Sequence, residues 1–244
     1  MSFITDSIKL RLSARPCILA ICVLLLTVLS CVTMESSSEK TAAAGKAGIT
    51  DYSGDRKTDA EIAKIKKDLV EAAGIYQKSQ NLAVGERKFN MDCSGVVSAL
   101  YYYAGIDLQK YYPQYSGTGT ERIYKTLDER KLLKNYWLPE PGDLIFWDNT
   151  YDKNNNGRDD DELTHVGMVV SCDKQGNIVY IHHHYSKGIV FEKMNLRYKN
   201  FHSRSARGNI ITINSPLRIK GGSREQKNWL SGQLFNSFGE GYHL

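Results

Sequence analysis

Between Thr58 and Leu133 apolar residues return every three or four positions, and past Pro139 they alternate with polar ones. The first period is that of a helix with one buried face, the second that of a strand. Thr58, with Glu61 three residues later, forms a capping-box signature, and Ile62, Ile65, Leu69, Ala72, Ala73 and Tyr76 carry the helical spacing to about Ser79. A second helix is predicted from about Cys93 to Ala104, with Val96, Val97, Leu100 and Ala104 on one side and Gly105 as its stop. A third covers about Thr120 to Leu133. Strands are predicted at Leu144 to Trp147, His165 to Cys172, Asn177 to His183, Ile189 to Lys193 and Asn209 to Ile213. Turn residues separate them at Pro141-Gly142, Asp173-Lys174-Gln175-Gly176 and Lys187-Gly188. Helices followed by a run of strands with short turns predict an α+β domain, its N-terminal helices packed on a mostly antiparallel sheet.

The ends of the chain read differently. Residues 1–30 begin with Lys9, Arg11 and Arg15 against Asp6 and continue into an apolar run from Cys17 to Leu29, the order of a signal peptide. Such a run covers about 20 Å as a helix, short of the ~30 Å hydrocarbon core, which argues against a permanent span. It ends Val28-Leu29-Ser30-Cys31, which resembles a bacterial lipobox, so Cys31 is the expected lipidation site and the new N-terminus. Attached acyl chains add ~0.8 kcal/mol per buried methylene and hold a protein at a membrane. Residues 31–57 are mostly small or charged and read as the lipidated N-terminus and a flexible tether; residues 58–213 form the domain, and residues 214–244 remain an unassigned tail.

Composition narrows the partners. The net charge of +5 falls to +3 once Lys9, Arg11, Arg15 and Asp6 leave with the signal, too small an excess to argue for nucleic acid. Of five cysteines, Cys17 and Cys22 lie in the apolar run and Cys31 at the lipobox, leaving Cys93 and Cys172. Cys172 ends an alternating strand and reads as a small core residue. The sequence fixes no oligomeric state.

Three segments carry candidate chemistry. Asp92-Cys93-Ser94-Gly95 places one thiol at a helix N-terminus, where the macrodipole and unpaired amides favour a thiolate and where amides, including that of Cys93, would stabilise an oxyanion. Thr164-His165-Val166-Gly167 opens a strand with a histidine, and alternation puts His165, Gly167, Val169 and Ser171 on one face, with Gly167 leaving space beside the imidazole. On the next strand, alternation sends His182 and His184 to one face and His183 to the other, so one or two of them would fix the tautomer of His165. Neighbouring strand residues cannot all converge on one ion, which weighs against zinc.

Together these stretches resemble the NlpC-type family of papain-like cell-wall endopeptidases, over about Phe89 to Lys193. The resemblance is carried by Asp92-Cys93-Ser94-Gly95, Pro141-Gly142-Asp143-Leu144-Ile145-Phe146-Trp147 and Thr164-His165-Val166-Gly167-Met168-Val169, in that order. It implies a papain-like α+β fold, Cys93 as nucleophile, His165 as base, and His182 as the orienting residue with His184 in reserve. It also implies hydrolysis of peptide or isopeptide bonds at the D-glutamyl to diamino-acid junction of peptidoglycan stems. The family's usual Tyr and Gly-rich stretch before the Asp-Cys motif is replaced by Asn81 to Lys88, which leaves the substrate-binding tyrosine unassigned and the CHAP-like amidohydrolases as a sibling reading.

Between the Trp147 strand and His165, Asp152, Asn154, Asn156, Arg158 (through its carbonyl) and Asp160 fall at positions 1, 3, 5, 7 and 9 of an EF-hand-like loop, with Gly157 at position 6. Position 12 is Leu163, where a bidentate glutamate is expected. Ca²⁺ binding and a merely solvated acidic loop are both open. Two functions follow from the sequence. One is a cell-envelope cysteine hydrolase, lipid-anchored to a bacterial membrane and facing the periplasm or the exterior, acting on peptidoglycan peptides with no required cofactor. The other is a catalytically silent surface lipoprotein that binds wall peptide or calcium.

Overall fold

The computed structural model describes residues 57–218 and 227–244. The apolar N-terminal run, Cys31 and the tether lie outside the described residues, apart from Lys57. Helix α1 spans Asp59–Tyr76 and starts where predicted: the Thr58 side chain accepts from the Glu61 N–H while the Glu61 carboxylate accepts from the Thr58 N–H. Its buried face is Leu69, Ala72, Ala73 and Tyr76. A small hairpin, β1 (Ala83–Val84) and β2 (Arg87–Lys88), leads into α2, Cys93–Tyr103. A short 3₁₀ segment, Leu108–Gln114, precedes α3, Gly119–Glu129, which opens with a second capping box, Thr118 with Glu121. Among the described residues no helix is long and apolar enough to cross a membrane.

The strands are β3 (Leu133–Lys134), β4 (Leu144–Trp147), β5 (His165–Cys172), β6 (Ile178–His184), β7 (Gly188–Met194), β8 (Ser203–Ala206), β9 (Asn209–Thr212) and β10 (Phe235–Gly239). Six of them form an antiparallel sheet in the order β3-β10-β4-β5-β6-β7, while β8 and β9 make a separate hairpin. The α+β class holds. The predicted strand at Asn209 pairs only with its neighbour β8, outside the main sheet.

Strand β4 is buried on both faces because helices cover one and the C-terminal segment covers the other. Leu144, Phe146, Val166, Met168 and Ile181 pack with α1, α2 and α3. Ile145, Trp147, Val169, Tyr180 and Phe238 pack with Leu217 and Leu234. Burying one such side chain contributes about 1.5–3 kcal/mol. The segment past residue 213, unassigned from sequence, therefore supplies an inner strand of the sheet and a third of the buried residues of its second core; its single short run, Phe235–Gly239, has too little alternation to announce this.

The Pro141-Gly142-Asp143 stretch is a structural node. Asp143 is fully buried and accepts from Tyr136 Oη (2.8 Å), the Glu140 N–H (2.8 Å) and Tyr242 Oη (3.0 Å). Burial pushes its carboxyl up to about 6, against the pull of those donors. The Gly142 carbonyl accepts from Tyr101 Oη at 2.7 Å, so one turn joins α2, β4 and the chain's end.

Candidate active site

Cys93 is the first residue of α2, and Asp92 is its cap. The Asp92 backbone is extended (φ −142°), and its carboxylate accepts from the Gly95 N–H (2.7 Å) and from Ser94 Oγ (2.8 Å). Gly95 is required by a close approach: a Cβ there would collide with the Asn90 carbonyl. The helix start was expected to favour a thiolate, yet the environment runs the other way. Burial pushes the Cys93 thiol up, the Thr120 hydroxyl (3.6 Å from Sγ) and N–H groups of Val166 and Ser94 pull it down, and the Asp92 charge adds to the upward shift. The capping carboxylate offsets the positive end of the helix beside the sulfur, which works against the thiolate that a helix start favours. Thr120 was not singled out in the sequence, because nothing in its spacing ties it to residue 93.

His165 opens β5, one residue before the Val166 that faces the sulfur. Burial, reinforced by His182, His183 and His184, holds its imidazole well below the ordinary 6.5. Its Nε2 lies 2.8 Å from His182 Nδ1. His182 is 1% exposed, and its Nε2 is 3.2 Å from Glu192 Oε2, off the line of a well-aligned hydrogen bond. Glu192 sits on β7 and is held from its other oxygen by Lys187 Nζ at 2.9 Å. Burial alone would raise the Glu192 carboxyl, but the contacts with His182 and Lys187 outweigh it and leave it lowered, hence anionic.

This chain of contacts admits one set of tautomers. An anionic Glu192 takes the Nε2–H of His182, which leaves His182 Nδ1 as an acceptor. The proton between the rings then belongs to His165 Nε2, and the lone pair of His165 is left on Nδ1. Nothing in the spacing of the sequence marked Glu192; it falls at the cross-strand partner of Tyr180, two residues from His182, a relation that only strand register creates. His184, the reserve candidate, does not join the chain: its Nδ1 accepts from the Ser186 N–H (3.1 Å) and its ring stacks on Tyr185 with centroids 4.5 Å apart.

The space that Gly167 leaves beside the imidazole is filled. A Cβ at this position would meet the Trp147 ring at 3.1 Å and the Ile181 carbonyl at 2.9 Å. The indole fills the gap and lies against His165, centroids 5.7 Å apart. The missing side chain thus admits the ring that packs against one side of His165.

Cys93, His165 and His182 line one cavity of about 620 Å³, together with Met91, Thr150, Tyr151, Tyr185, Leu217 and Arg218 among others. Tyr151 and Tyr185 are 51% and 69% exposed, so the aromatic lining comes from segments downstream of Cys93. Asp152 belongs to the same wall and opens the EF-hand-like loop.

That loop closes on itself. Asp152 accepts from the N–H groups of Asn156 (3.1 Å) and Gly157 (2.8 Å), Asn154 Oδ1 from that of Asn156 (3.0 Å), and Asn156 Oδ1 from that of Arg158 (2.8 Å). The amide nitrogens of Asn154 and Asn156 converge on Asp160, and the Asp161 carboxylate accepts from the Lys153 N–H at 3.0 Å. A calcium shell needs about six to eight oxygens. Among the described residues no cluster of three or more His, Cys, Asp or Glu side chains is placed to hold a metal, and Leu163 brings no side-chain oxygen to position 12. The oxygens expected from the sequence are those of Asp152, Asn154, Asn156, Asp160 and the Arg158 carbonyl, and the chemistry below is written from the protein's own residues alone.

A family model described as the NlpC/P60 family matches residues 80–207. No curated protein sequence matches the chain. Among solved structures, a Staphylococcus aureus subsp. aureus Mu50 protein described as similar to a lipoprotein of the NLP/P60 family is 20% identical, with a TM-score of 0.29; the match covers 59% of this chain and 39% of that one.

Proposed function

This chain belongs to the NlpC/P60 family, and from that premise we propose that it is a cell-envelope cysteine hydrolase that cleaves amide bonds of peptidoglycan stem peptides. The family in general comprises cysteine peptidases and amidases of the cell wall, some of them inactive. The observation that carries the catalytic reading is the convergence of Cys93, from a helix start, and the hydrogen-bonded His165–His182 pair, from two strands, on one cavity.

In the proposed reaction the Cys93 thiol gives its proton to Nδ1 of His165 as sulfur attacks the carbonyl carbon. The charge that appears on the carbonyl oxygen is met by N–H groups at the start of α2, where the first amides have no acceptor within the helix. The new imidazolium is stabilised through His182 by the Glu192 carboxylate, which balances a positive charge formed in a buried place. Collapse of the tetrahedral intermediate breaks the C–N bond, and the departing amine takes the proton from His165. Water, deprotonated by the same nitrogen, then hydrolyses the thioester and returns the proton to sulfur.

His165 has a depressed proton affinity, so it stays neutral and able to accept a proton in mildly acidic as well as neutral surroundings. With Cys31 as the lipid acceptor, the domain would act while tethered to a bacterial membrane. Digestion of purified wall fragments by the full chain, with products identified by mass, tests the proposal. Cys93→Ala and His165→Ala should each reduce cleavage to background while circular dichroism stays that of the parent. Undiminished cleavage by Cys93→Ala removes the thiol mechanism, and absence of cleavage by the parent chain supports the silent binding module instead.

A further inference from the structure

Arg218 lies beyond the stretch matched by the family model, and none of the chemistry above uses it. Its side chain is only 5% exposed, yet it is part of the wall of the cavity that holds Cys93 and His165. Nη1 is paired with Asp159 at 2.5 Å and makes a longer contact, 3.4 Å, with the Asn228 carbonyl. Nη2 is shielded from solvent and has no hydrogen-bond partner among the described residues.

A guanidinium presents its donors as a planar fork, and buried donors are rarely left without an acceptor. Here half of the fork is engaged and the other half is not. Among the described residues, Arg218 is also the only Lys or Arg lining this cavity. Of the two acids in the same wall, the Asp92 carboxylate caps α2 and the Asp152 carboxylate is held by loop N–H groups, so neither neutralises the open side of Arg218. The wall of the cleft therefore holds a guanidinium that is paired with Asp159 on its Nη1 side and has an unfilled donor at Nη2. The acceptor that suits it is planar and anionic, which among peptide groups is a carboxylate.

We propose that Arg218 is an anion anchor of the cleft, taking a free carboxylate carried by the peptide beside the bond to be cut. This rests on the peptide-hydrolase reading of the same cavity and adds the substrate's charge to it. Asp159 then acts as the positioning residue, holding Nη1 so that the rest of the fork stays available.

The test uses the full chain carrying Cys93→Ala, so that binding is measured without turnover. Two probes are titrated by calorimetry: γ-D-glutamyl-L-lysine with a free α-carboxylate, and the same compound with that group as a carboxamide, both amidated at the C-terminus. The carboxylate form should bind about tenfold more tightly or better. Adding Arg218→Gln should bring that ratio close to one, whereas adding Asp159→Asn should preserve it. Equal binding of both probes to the Cys93→Ala chain, or a preference that survives Arg218→Gln, overturns the proposal. Should Arg218→Gln fail to fold, Arg218→Lys, which keeps the charge but loses the planar fork, takes its place: a ratio well below the parent's supports the anchor, and an unchanged ratio overturns it. Because cleavage is read separately, a chain that discriminates the probes but does not cut wall fragments sinks the hydrolase reading and spares the anchor.

Discussion

The two walls of the cleft are built on different physical terms. The inner wall holds His165, His182 and Glu192 on three consecutive antiparallel strands, with His182 and Glu192 buried and His165 half-buried at the cavity. Its geometry is fixed by backbone ladders and by the Trp147 ring in the space left by Gly167. The outer rim is made by the loop between β4 and β5 and by Leu217 and Arg218, and it is held by Asx-type turns and by the Arg218–Asp159 and Lys153–Glu121 ion pairs. Proton transfer tolerates little displacement, which suits a sheet. Recognition of one substrate among several is a matter of replaceable contacts, which suits loops on a rigid frame.

If the inner wall works as one hydrogen-bonded unit, its members should differ steeply in importance. His182→Ala should lower kcat/KM for wall peptide by roughly 10²-fold or more, since His165 loses the partner that fixes its tautomer. His184→Ala, which removes a ring stacked on Tyr185, should cost less than about tenfold. Steady-state kinetics on a defined stem peptide checks both, and comparable losses would mean that the hydrogen bond between His165 and His182 is not what positions the base.

The next effect is smaller and has a sign. Glu192→Gln should reduce kcat/KM roughly tenfold, equivalent to ~1.4 kcal/mol. The acid limb of the pH–rate profile reports protonation of His165, and burial already places that event below 6.5. Removing a negative charge makes the imidazolium less favourable still, so the limb should move to lower pH in the variant. An unmoved limb, or one moved upward, would show that Glu192 holds β6 and β7 together without acting on the charge of the pair. The outer rim should give the smallest response: EDTA, or added Ca²⁺ in the millimolar range, should change the cleavage rate by less than about twofold, because the loop satisfies its own oxygens. A large loss on chelation would mean that the loop rearranges around an ion and that the rim, too, is a preorganised part of the site.

Much of the inner wall was legible before any coordinates. The capping box at Thr58, the helix beginning at Cys93 and the strand beginning at His165 are set by contacts within a few residues, so periodicity and capping chemistry place them closely. Alternation reduced the histidine run to His182 and His184 but could not choose between them, because both project from one face and only the distance to His165 separates them. The surroundings of the sulfur were not legible for a related reason. A helix start favours a thiolate through its unpaired amides, whereas here the Asp92 charge and burial push the thiol up.

Local periodicity and short-range capping determined the helices, most of the strands and the positions of Cys93 and His165, since each depends on neighbours in the chain. The tertiary structure decided the rest. It inserted residues 235–239 between β3 and β4, set Thr120 beside the thiol, brought Glu192 under His182 by strand register, and turned Arg218 into the cleft. These are pairings between segments tens of residues apart, and the free energy that selects them comes from burial and hydrogen bonding across the whole domain, a quantity that no local pattern encodes.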